Sequence, residues 1–547
     1  MDAQEIAAVF ANRKVEEVGP CPWTYPIRDE TYEEAKSQFG KPNLPVVSEP
    51  ISYDATGKEI VVVSDLHIAS GRTAVGVFRG TENFFADDAF GRFLDHVESI
   101  KKTATMLLVF NGDIFDFLRV TEYPGWAKKV RLGRRIKLRL QGREIVAPVP
   151  PAPAVVKQDF DEWSVELSKV GIVKTPTVLR QSISKTERKY GLETDDYKTI
   201  YRLMRIKRGH PLFFERLARW LSGGNSILIL KGNHDLEICQ DNVRRYIELQ
   251  LAESMAGSGG NVASLLATSV FPHIRFADDS VVIDGDFYLE HGHRYDKFTM
   301  VLGGAFLNTP QGQINIPFGS FFNRYLINRI ELFYPFFDKI RPSGNIIPML
   351  IRDNFPLALR VIFQQLPFMF RILFTNAKYI RFMLNRVLWL MLIILGPLVF
   401  LVWEAVKTPG VISAVEKVYK IVGAMLVPYF LARIVSWLQL TEPDSLFSFA
   451  RHRLDVDKTK FRIMTMGHTH NPGEYSLDYG QTHFYNTGTW IPVIETSSAE
   501  VREDRMYTFL HLRRDHNGLL QLPEKGLLQR WNDDAGRAEP QLLIERK

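Results

Sequence analysis

Short apolar runs punctuate this chain at irregular intervals. Five stand out: Ile60-Val61-Val62-Val63, Met106-Leu107-Leu108-Val109-Phe110, Ile227-Leu228-Ile229-Leu230, Phe287-Tyr288-Leu289 and Phe461-Arg462-Ile463-Met464. Their length and β-branching favour buried strands over helices. Phe90–Lys101 and Leu212–Leu221 read as helices between them. Strands alternating with helices predict an α/β domain, in which sites gather beyond the carboxyl ends of strands. A polar motif follows each run at that end. The five motifs are Asp65-Leu66-His67, Gly112-Asp113-Ile114-Phe115-Asp116, Gly232-Asn233-His234-Asp235, His291-Gly292-His293 and Gly467-His468-Thr469-His470.

The spacing of these motifs sets the expected organisation. Between Asp116 and Gly232 lie 115 residues, and between His291 and Gly467 lie 175. A discontinuous core is therefore expected, in three parts at 57–116, 226–300 and 461–515. Around it fall an N-terminal extension (1–56), a basic insertion (117–225), a helical insertion (301–460) and a C-terminal tail (516–547). The first insertion contains Lys128–Arg143, with eight basic residues, and the linker-like Ala147–Pro153. The basic stretch reads as a solvated loop, or more sharply as a contact for lipid headgroups or a polyanion.

Composition changes this picture little. The chain of 547 residues is 46% hydrophobic and 24% charged, with net charge +6, ordinary for a folded multidomain protein. Cys21 and Cys239 lie in no CxxC pattern, which excludes a disulfide framework and fits reduced thiols. The first residues lack the apolar core of a secretory signal, so the α/β core is expected to remain in the cytosol.

The motifs carry metal-ligand chemistry. Asp65 and His67, two apart at a strand end, are expected to point the same way. Asp113 follows a glycine in a tight turn and can bridge two ions with its two oxygens. Asn233 offers an amide oxygen, and His291, His468 and His470 offer imidazoles. Carboxylate, amide oxygen and imidazole together suit Mn, Fe or Zn. Any one motif alone reads as a turn and a surface pair. Five in order at strand ends read as one site for two divalent ions.

On these residues the chain resembles the calcineurin-like metallophosphoesterases, whose pattern is DxH, GDxxD, GNH(D/E), H and GHxH. The resemblance covers roughly Lys58–Asp116, Ser226–Asp296 and Phe461–Val493, including Tyr485–Trp490 as the strand after the last motif. It implies a β-sandwich flanked by helices. It also implies one ion held by Asp65, His67, Asp113 and His470, and another by Asp113, Asn233, His291 and His468. His234 would be the catalytic histidine, partnered by Asp116. The role of Asp235 stays open, and His293 reads as a neighbouring structural histidine. The implied reaction is hydrolysis of a phosphoester or phosphoanhydride by water activated between two ions, Mn first among them.

The second insertion suggests where the substrate lies. Val387–Trp403 is 17 uncharged residues, near the ~20 needed for a span. Ile421–Leu440 is a second apolar stretch. Phe355–Asn385 places basic and polar residues on one stripe of an apolar helix, and Arg324–Arg386 holds ten Lys or Arg against three acids. These features predict membrane association through 324–440, with the catalytic domain facing the cytoplasm. Gly467–Pro472 and the HG form of the fourth motif are similar to UDP-diacylglucosamine pyrophosphatases, which carry Arg where His234 stands. A lipid-linked phosphate is therefore the expected substrate. The alternatives are a phosphodiesterase or nuclease acting on nucleotides or nucleic acid, and a scaffold with an idle metal site.

Overall fold

The computed structural model describes residues 3–13, 50–124, 153–328, 446–451, 461–477, 482–493, 501–521 and 527–541, apart from short breaks within them. The basic stretch 128–143 and the apolar stretches 387–403 and 421–440 lie outside the described residues.

The described residues form a mixed α/β structure with two sheets. One sheet has seven strands and centres on β2 (Lys58–Val63), β3 (Thr105–Asn111), β4 (Ser226–Leu230) and β5 (Ile274–Ala277), which run parallel. β11 (Thr508–Leu512), β12 (Leu528–Asn532) and β13 (Arg537–Pro540) extend it antiparallel beside β2. The other sheet has six strands in the order β1-β6-β7-β8-β10-β9. These are β1 (Ile51–Tyr53), β6 (Ser280–Ile283), β7 (Phe287–Glu290), β8 (Ile463–Met466), β9 (Gly473–Leu477) and β10 (Thr482–Asn486).

Alternation along the strands assembles the layers. Ile60, Val62, Leu107, Val109, Leu228 and Leu230 pack with Val281, Ile283, Phe287, Leu289, Ile463 and Tyr485 in a core between the sheets. Their neighbours Val61, Val63, Leu108, Phe110, Ile227 and Ile229 face the other way, into a core shared with helices. Both faces of the parallel strands are thus buried, which is why they read as unbroken apolar runs. Helix α1 (Ala3–Ala11) adds Ile6 and Phe10 to the helical core. Helix α2 (Asp87–Ser99) buries Phe90, Phe93, Leu94 and Val97 at i, i+3, i+4 and i+7. Helices α3 (Pro153–Lys169), α4 (Asp196–Gly209) and α5 (Pro211–Ser222) bury Trp163, Tyr201, Phe213 and Phe214 in the same core. Pro211 opens α5, where its missing N–H costs nothing.

The expected membrane-associated placement with a cytoplasm-facing catalytic domain is corrected. Among the described residues no helix is long and apolar enough to cross a membrane. The 17-residue α3 is shorter than a span and carries charges throughout, from Lys157 to Lys169.

A buried charge cluster braces the loop after the first motif. Glu82 accepts backbone N–H bonds from Ala69, Gly71, Asn83 and Phe84. His210 lies between Glu82 (Nε2–Oε2, 3.1 Å) and Asp87 (Nδ1–Oδ2, 2.9 Å). Burial disfavours its charge, but the two carboxylates outweigh burial and push its pKa up to about 9. The folded pKa is raised, so this stabilisation is complete below the unfolded value of about 6.5 and fades as pH rises through about 9. Wild type is expected to melt above His210→Gln at pH 6, with the gap narrowing by pH 10. A gap independent of pH would show that His210 folds in uncharged.

Candidate metal centre

Register brings the motifs to one edge. Val63 pairs with Phe110 and Asn111 with Leu230, so Asp65, Gly112 and Gly232 leave their strands side by side. In the second sheet Leu289 pairs with Thr465 and Met466 with Asn486. Backbone bonds then join the loops: Asp65 N–H to Gly112 O (3.1 Å), His67 N–H to Asp113 O (2.9 Å), Gly467 N–H to His291 O (3.0 Å) and Trp490 N–H to Asp65 O (3.2 Å).

The ligand side chains converge, but not by strand alternation. Asp65 and His67 both lie in the left-handed region (φ 54° and 50°), as do Asp113 (53°), His468 (66°) and His470 (56°). The extended geometry expected of Asp65 and His67 is therefore replaced by consecutive turns. Asp, Asn and His tolerate this region better than most residues. The glycines permit the close approach. A Cβ on Gly232 would collide with the Asp113 carboxylate, and one on Gly112 with the His291 ring.

Among the described residues three groups result: Asp65, His67 and His470; Asp113, His291 and His468; and His67, Asp116 and His234. In the first, His470 Nε2 lies 3.2 Å from Asp65 Oδ1 and 3.0 Å from His67 Nε2. In the second, His291 Nε2 is 3.1 Å from Asp113 Oδ2. Asp113 Oδ2 is also 3.8 Å from His67 Nε2, so one carboxylate links the first two groups. In the third, Asp116 Oδ2 lies 3.0 Å from His234 Nδ1, 3.5 Å from His67 Nδ1 and 3.2 Å from Arg119 Nε. His234 keeps 18% of its side chain exposed, against 4% or less for Asp65, Asp113, His67 and His291.

Electrostatics reflect crowded charge. Burial opposes ionisation of Asp65 and Asp113, yet the surrounding histidines, His291 foremost, hold both carboxyls well below the usual range. His234 and His67 hold Asp116 low in the same way, against its burial. Burial likewise opposes a charge on His67, but Asp116 and Asp65 push its pKa up to about 10.

These residues fit divalent ions. Asn233 Oδ1 is buried with no hydrogen-bond partner among the described residues, and Asp65 Oδ1 and His291 Nε2, although 3.2 Å from His470 Nε2 and 3.1 Å from Asp113 Oδ2, meet those atoms outside hydrogen-bond geometry. Each is an atom that an ion would take, and leaving such atoms unpaired costs ~1–3 kcal/mol each. His291 is oriented by Asn111, whose backbone carbonyl lies 2.8 Å from Nδ1 and leaves Nε2 facing Asp113. Asn111 was not singled out from sequence, although it directly precedes the Gly112-Asp113 pair.

Asp235 acquires a role. Its carboxylate accepts N–H bonds from Gly232 (2.6 Å) and Ile114 (2.8 Å), so it clamps the second and third motif loops together. Burial, with Asp113 close by, pushes its pKa up to about 7. His293 is buried, and burial next to His291 keeps it neutral. Asp296 is a further residue that motif reading missed, since it falls three positions past His293 in an unremarked turn. Its Oδ2 lies 3.2 Å from His468 Nε2.

Fold and site together define a mixed α/β protein with two packed sheets and buried Asp/His groups that could bind metal. No family model, no curated protein and no solved structure matches the chain.

Proposed function

We propose that this chain is a dinuclear metal-dependent phosphoesterase with a calcineurin-like fold, hydrolysing a phosphoester or phosphoanhydride bond. The observation that carries the reading is Asp113. Its carboxylate lies within 4 Å of histidines from two ligand groups, as a bridging ligand requires. One ion would be held by Asp65, His67, Asp113 and His470, the other by Asp113, Asn233, His291 and His468. When bound, two such ions supply Lewis-acid charge for a phosphoryl group and activate water near neutral pH.

The chain's own residues then have distinct tasks. His234, at the more exposed edge and 3.0 Å from Asp116 through Nδ1, would give a proton to the leaving oxygen as a positioned general acid. Asp116 keeps the His234 ring turned through Nδ1, and Arg119 anchors Asp116 from behind. Asp235 holds the loop carrying Asn233 and His234 against the loop carrying Asp113.

The test is a chelation experiment. Protein stripped of metal and titrated with Mn is expected to regain hydrolysis of p-nitrophenyl phosphate or its bis ester, saturating near two ions per chain. Bound metal with no turnover of any phosphoester or anhydride would remove the assignment.

A further inference from the structure

We infer that Asp296 is a positioning residue for the candidate metal centre, turning His468 so that it meets an ion through Nδ1. The inference rests on the two-ion reading above and deepens it. His291 and His67 present the opposite ring atom. His291 has Nδ1 held 2.8 Å from the Asn111 carbonyl, with Nε2 toward Asp113. His67 has Nδ1 3.5 Å from Asp116, with Nε2 3.0 Å from His470 Nε2. His468 is reversed. Its Nε2 lies 3.2 Å from Asp296 Oδ2 and 3.2 Å from Thr299 Oγ1. With Nε2 engaged there, Nδ1 is the ring atom left for the group formed with Asp113 and His291.

The path of the chain explains how the carboxylate arrives. Gly292 takes a left-handed φ of 100° directly after His291, and a tight turn over His293–Tyr295 follows. Asp296 N–H bonds to His293 O (3.3 Å), and Thr299 N–H bonds back to Asp296 O (3.1 Å). Thr299 Oγ1 donates to His293 O (2.9 Å). One turn thus starts at His291 and returns a carboxylate to His468, joining two proposed ligands of the same ion. Asp296 and His468 side chains are 1% and 8% exposed, so water competes little for the contact. A charged acceptor on one ring nitrogen fixes the tautomer and makes the other nitrogen a stronger ligand. His291 receives only a neutral carbonyl, so the carboxylate support within this group falls on His468.

The test uses full-length protein stripped of metal and titrated with Mn(II), followed by calorimetry and by electron paramagnetic resonance. Wild type is expected to give the signal of a coupled ion pair. Asp296→Ala should weaken one of the two ions by about 10–100-fold, the usual cost of losing a ligand's supporting partner. At one equivalent it should show an isolated Mn signal. Asp296→Asn keeps the shape and a neutral acceptor, so it should fall between the two. Because this variant is isosteric, it answers the question even if the alanine variant does not fold. In a His468→Ala background, Asp296→Ala should add nothing. A coupled pair with unchanged affinity in Asp296→Asn and Asp296→Ala overturns the inference while leaving the two-ion reading intact. No metal bound by wild type overturns both.

Discussion

Asp113→Ala is expected to lose Mn-dependent turnover by more than about 100-fold, beyond what removing a mere supporting partner of a ligand costs. The reason is position. Asp113 Oδ2 reaches His291 Nε2 at 3.1 Å and His67 Nε2 at 3.8 Å, while Oδ1 accepts the backbone N–H of His234 at 2.8 Å. Alanine therefore removes the shared ligand and releases the loop that carries the proposed proton donor. Calorimetry should show both ions weakened, not one. Asp113→Asn keeps an acceptor for the His234 N–H but loses the charge. It should retain the loop position, visible as an unchanged circular dichroism spectrum, and still lose tight metal binding. Wild-type turnover with Mn in either variant would end the bridging assignment.

His234→Ala should show the contrasting pattern. Loss of a positioned proton donor costs typically about 10²–10⁴ in rate. The His234 ring stands 4.6 Å from the His67 ring and pairs with Asp116, outside the two proposed ligand sets. Mn affinity should therefore stay close to wild type while kcat falls. The loss should be smallest for substrates whose leaving group is already acidic, such as p-nitrophenol, because these need little protonation. A variant that loses metal instead would move His234 into the ligand set.

The strands that bear the motifs were legible because both of their faces are buried. Val61 and Val63 meet helices while Ile60 and Val62 meet the second sheet, which leaves no polar position within Ile60–Val63 to blur the pattern. Helices α2 and α5 were legible for the related reason that their aromatic stripes repeat at helical spacing. The edge strands were not. β12 and β13 read Leu-Gln-Arg-Trp-Asn and Arg-Ala-Glu-Pro, half-exposed and polar, and they lie within the segment read as a tail. β5 and β6 sit in different sheets although only Asp278 and Asp279 separate them, a crossing that apolar periodicity does not encode.

At the site, the proposed ligand side chains were legible as residue types, and six of the seven fall in the convergent groups. Asn233 joins them through its buried, unpaired amide oxygen. The way they converge was not legible, because left-handed turns replace the extended strand end. Asn111, Asp235 and Asp296 act through backbone or ring contacts, and such contacts leave no spacing signature in a single sequence.

Those left-handed turns narrow the alphabet available to anyone who would retune this centre for another metal. Five of the proposed ligands occupy backbone that disfavours most L-residues by roughly 1–2 kcal/mol. Asparagine or glycine can enter such positions at low conformational cost, whereas cysteine, glutamate or a β-branched residue must first overcome the turn. A library built to trade oxygen and imidazole for thiolate should therefore succeed first at His291 or Asn233, which are absent from the left-handed set. The centre's chemistry is editable mainly where its backbone is relaxed.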